Sequence, residues 1–323
     1  MKKAVVIGGC GHIGSYMVPE LVRNGYAVTA VSRGNRKPYT AYMKEWNKVE
    51  NFSCDVRNPE SHRQLMSYIT DLEPDFIYDT TSFTREDAEK ICNPILEKPA
   101  FASKVKLIMT GTIWIYDYKL VSPVTEEHVH NAEGKYGKGK SAIQQYLGDL
   151  SRQGKINTTI LHPGHISGEG WYPINPQGNI NTVVYSDIIA GREILLPDDG
   201  SATLHHVHAA DIAALAMACL ENPDVSCGEA FHATSKQALT LRGFAELLYE
   251  HFGNKPNIRY EPLKEFLGML SEGDASESYA HVSRSPACSM EKAEKLLGFV
   301  PRYSSIDTVI SALEYKIKLG ELA

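Results

Sequence analysis

Short apolar runs rich in β-branched residues alternate along the first half of the chain with longer stretches of helical periodicity. This alternation is typical of βαβ units that build a parallel sheet. Because crossovers between parallel strands are right-handed, we predict an α/β fold with a doubly wound sheet. The predicted strands span residues 3–7, 27–31, 49–53, 75–78, 105–109 and 158–161.

The first predicted helix begins after the glycines that follow the first strand. Apolar residues recur along one side of it, and Asn24-Gly25 is a typical end signal. Pro19 lies inside this stretch and cannot donate a hydrogen bond to the carbonyl of Ser15. We therefore expect a local bend or an unusual first turn in this helix.

After residue 161, longer loops dilute the regular alternation, and we expect a smaller second lobe there. No linker long enough to separate two independent domains is visible, so the two parts are expected to share one core. The predicted dinucleotide-binding domain spans 1–162 with a returning segment at about 203–233, and the predicted substrate-binding lobe spans about 163–202 and 234–323.

The composition is that of an ordinary globular chain, with 43% hydrophobic and 22% charged residues among 323. A net charge of -6 gives no overall basic field, so we expect neither nucleic acid nor a membrane as a partner. The six cysteines form no CxxC pair, which favours reduced thiols. The N-terminal apolar run is too short for a signal peptide or a membrane span, so we expect a soluble cytoplasmic protein.

The strongest chemical signal is a glycine-rich turn between the first strand and the first helix. Glycines allow a tight turn and a close approach of the backbone, and free N–H groups at the helix start can face a pyrophosphate. A tight turn without a ligand is the alternative interpretation. The residues predicted to bind a dinucleotide here are Gly8, Gly9, Gly11, His12, Ile13 and Gly14.

The end of the second strand indicates which dinucleotide is bound. NAD enzymes usually place an acid there for the ribose 2′-hydroxyl, whereas this chain has Ser32-Arg33. A guanidinium pairs well with a 2′-phosphate, and Ser32 can donate a further hydrogen bond. NADP is therefore favoured and NAD is possible; a solvated basic loop is the alternative.

Polar residues also follow the third and fourth strands. Asp55, with Val56 beside it, can accept a hydrogen bond from the adenine amino group. Thr80 and Thr81 lie at the sheet edge where ligands of such folds bind, and we assign them to the cofactor and Ser82 to the substrate. Helix capping is an equally good interpretation for any one of these hydroxyls.

Tyr136 and Lys140 lie four residues apart, so on a helix they share one face. An adjacent ammonium favours phenolate, which would lower the tyrosine pKa from its ordinary value of about 10 and ease proton transfer. By itself this spacing is common on protein surfaces. Thr112, after the fifth strand, offers a hydroxyl to the same substrate oxygen. Together the three side chains predict a site for an alcohol or a carbonyl.

In this order, the motifs resemble the extended short-chain dehydrogenases/reductases, a group that contains NAD-dependent sugar epimerases and dehydratases. The resemblance extends to Pro163, which matches the strand end that touches nicotinamide, and to the terminal helix at 289–301. It implies a Rossmann fold and hydride transfer at the nicotinamide. It further implies that Tyr136 moves the proton, that Lys140 holds the ribose, that Thr112 positions the oxygen, and that the protein is a homodimer.

Departures from the family pattern concern the substrate. Leu204 occupies a position where nucleotide-sugar enzymes often have an arginine, and leucine cannot pair a phosphate. The loop at Thr112 lacks the Thr-Asp-Glu run of sugar-nucleotide 4,6-dehydratases. Trp114 and His165 are candidates, with Ser82, for lining a small-molecule substrate pocket; loop packing is the equal alternative.

Three histidines, His205, His206 and His208, cluster in the sequence but have no carboxylate or cysteine at ligand spacing. A strand explains them better, with His206 and His208 on one face, and we predict no metal site.

Three functions stay open from the sequence alone. The first is an NADP-linked reductase or dehydrogenase of a sugar, polyol or related small metabolite. The second is a sugar or nucleotide-sugar epimerase that retains NAD. The third is a sensor that binds a dinucleotide without catalysis.

Overall fold

The computed structural model describes residues 1–117 and 121–322, and it shows an α/β architecture built on a seven-stranded parallel sheet. The strand order is β11-β6-β5-β4-β1-β2-β3. These strands are β1 (Lys3–Ile7), β2 (Ala27–Ser32), β3 (Glu50–Ser53), β4 (Phe76–Asp79), β5 (Lys106–Thr110), β6 (Asn157–Pro163) and β11 (Ala230–Ala233).

Six helices accompany the sheet strands. They are α1 (His12–Arg23), α2 (Pro59–Leu72), α3 (Arg85–Leu96), α4 (Pro99–Ala102), α5 (Lys135–Arg152) and α7 (Ala209–Glu221).

The rest of the described chain adds short strands and helices. The strands are β7 (His165–Ser167), β8 (Ile194–Pro197), β9 (Thr203–Leu204), β10 (His206–His208), β12 (Leu239–Thr240) and β13 (Ile258–Glu261). The helices are α6 (Val183–Ile189), α8 (Pro223–Ser226), α9 (Leu241–His251), α10 (Leu263–Gly268), α11 (Glu272–Arg284), α12 (Glu291–Leu297) and α13 (Ser305–Lys318).

All six predicted sheet strands are present, with ends that differ slightly from the prediction. The seventh strand, β11, pairs with β6 and was missed. Its four residues, Ala-Phe-His-Ala, give little β signal by themselves, because alanine has weak strand propensity.

Hydrophobic clusters cover both faces of the sheet, because successive strand side chains point to opposite faces. Ala4 and Val6 of β1 pack in one cluster with α1 and α7, whereas Val5 and Ile7 pack in a second cluster with α2, α3 and α5. A third cluster joins α6, β8, α9 and α13. The proposed boundary between a dinucleotide-binding domain and a substrate-binding lobe stays a prediction.

The helix α1 runs through Pro19 without interruption. The carbonyl of Ser15, which proline leaves without its helical partner, accepts a hydrogen bond from the hydroxyl of Thr40. A tertiary contact therefore replaces the lost helical bond.

Across the described residues, no helix combines the length and the apolar character that crossing a membrane would require.

Candidate active site

The glycine-rich turn connects β1 to α1 beneath a cleft. The amides of Gly8 and Gly9 both donate to the carbonyl of Val31 at 2.9 Å, which fixes the turn against β2. A Cβ at Gly14 would lie 2.3 Å from the carbonyl oxygen of Gly8, so this position admits no side chain. Gly11 caps the helix without a side-chain hydrogen bond, and the first N–H groups of α1 can thus bind an anion.

The cleft above this turn has a volume of about 540 Å³. Eight of the residues predicted for the cofactor line it: Gly8, Gly11, Ser32, Arg33, Asp55, Val56, Thr80 and Thr81. The other predicted residues of the turn lie below or beside it. Ile13 is in the core, Gly9 abuts Ala30, and the His12 ring stacks on Trp171 at a centroid distance of 4.9 Å.

Three arginines line this cleft, of which the sequence predicted one. Arg33 is exposed, and among the described residues the structure gives it no hydrogen bond or ion pair. Arg57 is neutralised by Asp87 at 3.0 Å and also donates to the carbonyl of Thr81. Arg36 lies over the glycine turn and was not predicted. Its place in the same basic run as Arg33 is the signal that could have found it.

The helix α5 brings Tyr136 and Lys140 to one face, as predicted. Lys140 is 1% exposed, and its Nζ donates to the carbonyls of Ser82 and Thr110 at 2.7 and 2.6 Å. The same Nζ lies 5.9 Å from the centre of the Tyr136 ring. Burial lowers the pKa of Lys140 to about 8.

Tyr136 differs from the expectation in the direction of its pKa. Burial raises that pKa, and a hydrogen bond with the Thr112 side chain opposes the rise only in part. Lys140, whose Nζ donates to two backbone carbonyls, is not among the causes of this shift. The net shift is thus upward, and the predicted lowering of the tyrosine pKa by the lysine stays a prediction.

His162, which sequence reasoning missed as a site residue, connects the Thr112 loop to α5. Its Nδ1 lies 3.0 Å from both the amide nitrogen and the carbonyl oxygen of Thr112, and its Nε2 lies 2.5 Å from Oε1 of Gln144. Burial lowers the pKa of His162 well below 6.5, which keeps the ring neutral for this bridge. The bond to Thr112 joins residues 50 positions apart.

The three predicted substrate residues occupy different places. Trp114 borders the catalytic side chains, with its ring 6.3 Å from that of Tyr136. His165 is buried in β7 and reaches Trp114 only through the ring of His281, at 5.0 and 5.1 Å. Ser82 is buried and contributes its carbonyl to Lys140.

The remaining predictions concern residues on β6, β9 and β10. Pro163 ends β6 and pairs in register with Ala233. His206 and His208 lie on β10, which confirms the strand interpretation, and Leu204 is fully buried in the third cluster. No group of three potential ligands positioned for a metal ion occurs in residues 1–117 or 121–322.

The fold and the glycine turn define a protein of the dinucleotide-binding Rossmann class. A family model described as "NAD dependent epimerase/dehydratase family" matches residues 4–233, and the chain belongs to that family. The predicted extended short-chain dehydrogenase/reductase enzyme is thereby confirmed, as is its dependence on a nicotinamide dinucleotide.

Individual relatives are distant. The chain is 24% identical to the chloroplast stem-loop binding protein of 41 kDa b from Arabidopsis thaliana, over 99% of this chain and 80% of the relative. It is 20% identical to a dTDP-4-dehydro-6-deoxy-D-allose reductase from Streptomyces sp, over 81% of this chain and 84% of the relative. A UDP-glucose-4-epimerase structure from Stenotrophomonas maltophila, with bound NAD and a formylated UDP-arabinopyranose, superimposes with a TM-score of 0.76 at 15% identity over 100% of both chains.

Proposed function

We propose that this protein is an NADP-linked reductase or dehydrogenase that acts on a hydroxyl or keto carbon of a sugar, polyol or related small metabolite. The observation that carries the proposal is the end of β2, where Arg33 lines the cleft without a protein carboxylate bound to it among the described residues. A ribose 2′-phosphate would supply the missing anion, and Ser32 beside it offers a hydroxyl.

The cleft residues fit a dinucleotide. The glycine turn supplies uncapped N–H groups, and Thr80 and Thr81 line the same cleft. When bound, the nicotinamide would supply or accept the hydride.

The side chains of α5 and of the Thr112 loop would handle the proton. In reduction, the hydroxyl of Tyr136 would give its proton to the substrate oxygen while the Thr112 hydroxyl holds that oxygen in place. An ammonium has three donors, and two of those on Lys140 are bound to carbonyls. The third can hold a ribose hydroxyl, and its charge would stabilise the phenolate that forms.

Neither Leu204 nor Arg284, both on the predicted substrate side, offers a free positive charge to a phosphate. Leu204 is buried, and the guanidinium of Arg284, which stacks on Trp114 at 4.4 Å, is bound to Asp117 at 2.8 Å. An uncharged substrate that packs against Trp114 is therefore favoured over a nucleotide sugar.

The first experiment is to denature freshly purified protein and to identify any released dinucleotide by mass spectrometry. Little bound cofactor, with tighter binding of added NADPH than of NADH, would support the proposal. Stoichiometric NAD would overturn it in favour of an epimerase, the second candidate, which family membership and the epimerase fold neighbour support.

Substitution of Tyr136 separates an enzyme from a dinucleotide sensor. Once carbonyl compounds that drive NADPH oxidation are identified, we expect Tyr136→Phe to lower kcat at least a hundredfold and to leave NADPH binding within about twofold. Tyr146→Phe, at a half-buried position on the same helix outside the predicted site, is the control and should keep full activity. Unchanged turnover in Tyr136→Phe would contradict the catalytic assignment.

Two further parts of the proposal concern where the protein is located and how it assembles, and which kind of partner it binds. Family resemblance supports a cytoplasmic homodimer that associates through α5, which light scattering would test.

One relative is named for stem-loop binding, but the net charge of -6 favours a small-molecule partner here. A mobility shift of stem-loop RNA at physiological salt would contradict that choice.

A further inference from the structure

Arg36 lies directly over the glycine turn. Its Nη2 is 3.8 Å from the position that a Cβ on Gly11 would occupy, and Gly11 is the N-cap of α1. The Nη1 of the same guanidinium donates to the hydroxyl of Tyr39 at 2.9 Å, and the guanidinium packs 5.2 Å from the centre of the Tyr39 ring. Arg36 is exposed, and these contacts hold its guanidinium at the mouth of the turn.

Among the described residues, no carboxylate pairs with the positive groups at this position. The N-terminal end of α1 is the positive end of its dipole, and the guanidinium adds a full positive charge beside it. The described part of the chain places no carboxylate in an ion pair with Arg36, whereas Arg57 in the same cleft is paired with Asp87. A guanidinium beside the uncapped N–H groups of a helix start is a favourable place for an oxyanion.

Aromatic contacts fix the loop that carries Arg36 to the segment after β7 and to the start of α1. The Tyr39 ring lies 5.8 Å from that of Trp171, which stacks on His12 with an interplanar angle of 16°. His12 immediately follows Gly11, so these rings connect the loop after β2, the segment after β7 and the start of α1. We call Tyr39, Trp171 and His12 the aromatic strap.

We propose that Arg36 binds the pyrophosphate of the dinucleotide, while Arg33 binds the 2′-phosphate, and that the aromatic strap holds the Arg36 guanidinium in place. The inference rests on the proposed dinucleotide function. It assigns the two arginines to different phosphates of one ligand, so their effects on binding can be separated.

The test uses two probes that each carry one of the two groups, titrated into the purified full chain by calorimetry. ADP-ribose contains the pyrophosphate but no 2′-phosphate, and 2′-AMP contains the 2′-phosphate but no pyrophosphate. We expect Arg36→Ala to weaken ADP-ribose about tenfold or more and to leave 2′-AMP within about twofold. Arg33→Ala should do the reverse, and only Arg33→Ala should reduce the preference for NADPH over NADH.

The outcomes separate this inference from the proposed function. If Arg36→Ala binds ADP-ribose as tightly as the wild type, or loses 2′-AMP instead, the assignment of Arg36 is overturned while dinucleotide binding stands. If the wild type binds neither NADPH, NADH nor ADP-ribose, the proposed function itself fails. Tyr39→Phe keeps the ring but removes the oxygen that accepts from Arg36. Its expected effect on ADP-ribose is smaller than that of Arg36→Ala, and a larger loss would count against direct binding of the pyrophosphate by Arg36.

Discussion

At the scale of single residues, backbone geometry decides more than side-chain chemistry at the glycine turn. The pattern of glycines was readable from the sequence, but not which of them tolerates a side chain. A Cβ on Gly14 would meet backbone atoms of Gly8 and Gly9 within 2.6 Å, whereas a Cβ on Gly273, also helical, would meet no atom within 4 Å. Two glycines that look alike in the sequence therefore differ in what they permit.

We predict opposite effects for alanine at these two helical glycines. Gly14→Ala must displace the backbone of the turn, and we expect a loss of about 2–3 kcal/mol in the free energy of unfolding together with loss of dinucleotide binding. Gly273→Ala should raise the free energy of unfolding by about 0.5–1 kcal/mol, because alanine favours the helix. Urea denaturation measures both, and equal effects would refute the distinction.

At the scale of elements, the helix α1 shows how a tertiary hydrogen bond satisfies a backbone carbonyl that a proline leaves without its helical partner. The sequence predicted the helix and the break in its hydrogen bonding at Pro19, since both depend on neighbouring residues. It could not show that Thr40, fully buried and 25 residues from Ser15, donates to the freed carbonyl. The Thr40 hydroxyl also accepts from the indole N–H of Trp46 at 3.1 Å.

A double-mutant cycle tests whether the Thr40 hydroxyl replaces the helical hydrogen bond that Pro19 removes from the Ser15 carbonyl. Thr40→Val removes the hydroxyl and leaves the buried carbonyl of Ser15 and the partly buried N–H of Trp46 without this partner, so the free energy of unfolding should fall by about 1–3 kcal/mol. Pro19→Ala restores an amide that can donate to Ser15, so Thr40→Val should cost less in that background. Strictly additive losses in chemical denaturation would show that the two positions do not share the carbonyl.

At the scale of the whole molecule, buried histidines make stability depend on pH. His206 is fully buried, and that burial lowers its pKa from 6.5 to about 4, although its Nε2 donates to the carbonyl of Ile174. The unfolded chain therefore binds more protons than the folded one between these two values. Stability is complete above pH 6.5 and falls as the pH drops through that range towards 4.

We expect His206→Gln to reduce this acid sensitivity. The shift in its pKa corresponds to about 3 kcal/mol of stability lost on full acidification, and glutamine keeps a donor for Ile174 without titrating. Urea midpoints at about pH 7.5 and pH 5, compared with those of the wild type, measure the effect. If His206→Gln loses as much stability as the wild type between these pH values, the histidine is not a source of the dependence.

The sequence by itself determined the six sheet strands, the glycine turn and the pairing of Tyr136 with Lys140 on one helix face. These features depend on local periodicity and on spacing within one element, which a linear pattern contains. Only the tertiary structure decided that Lys140 binds the carbonyls of Ser82 and Thr110, that β11 joins the sheet, and that Arg36 lies over Gly11. These contacts join distant parts of the chain, and packing rather than local propensity selects them.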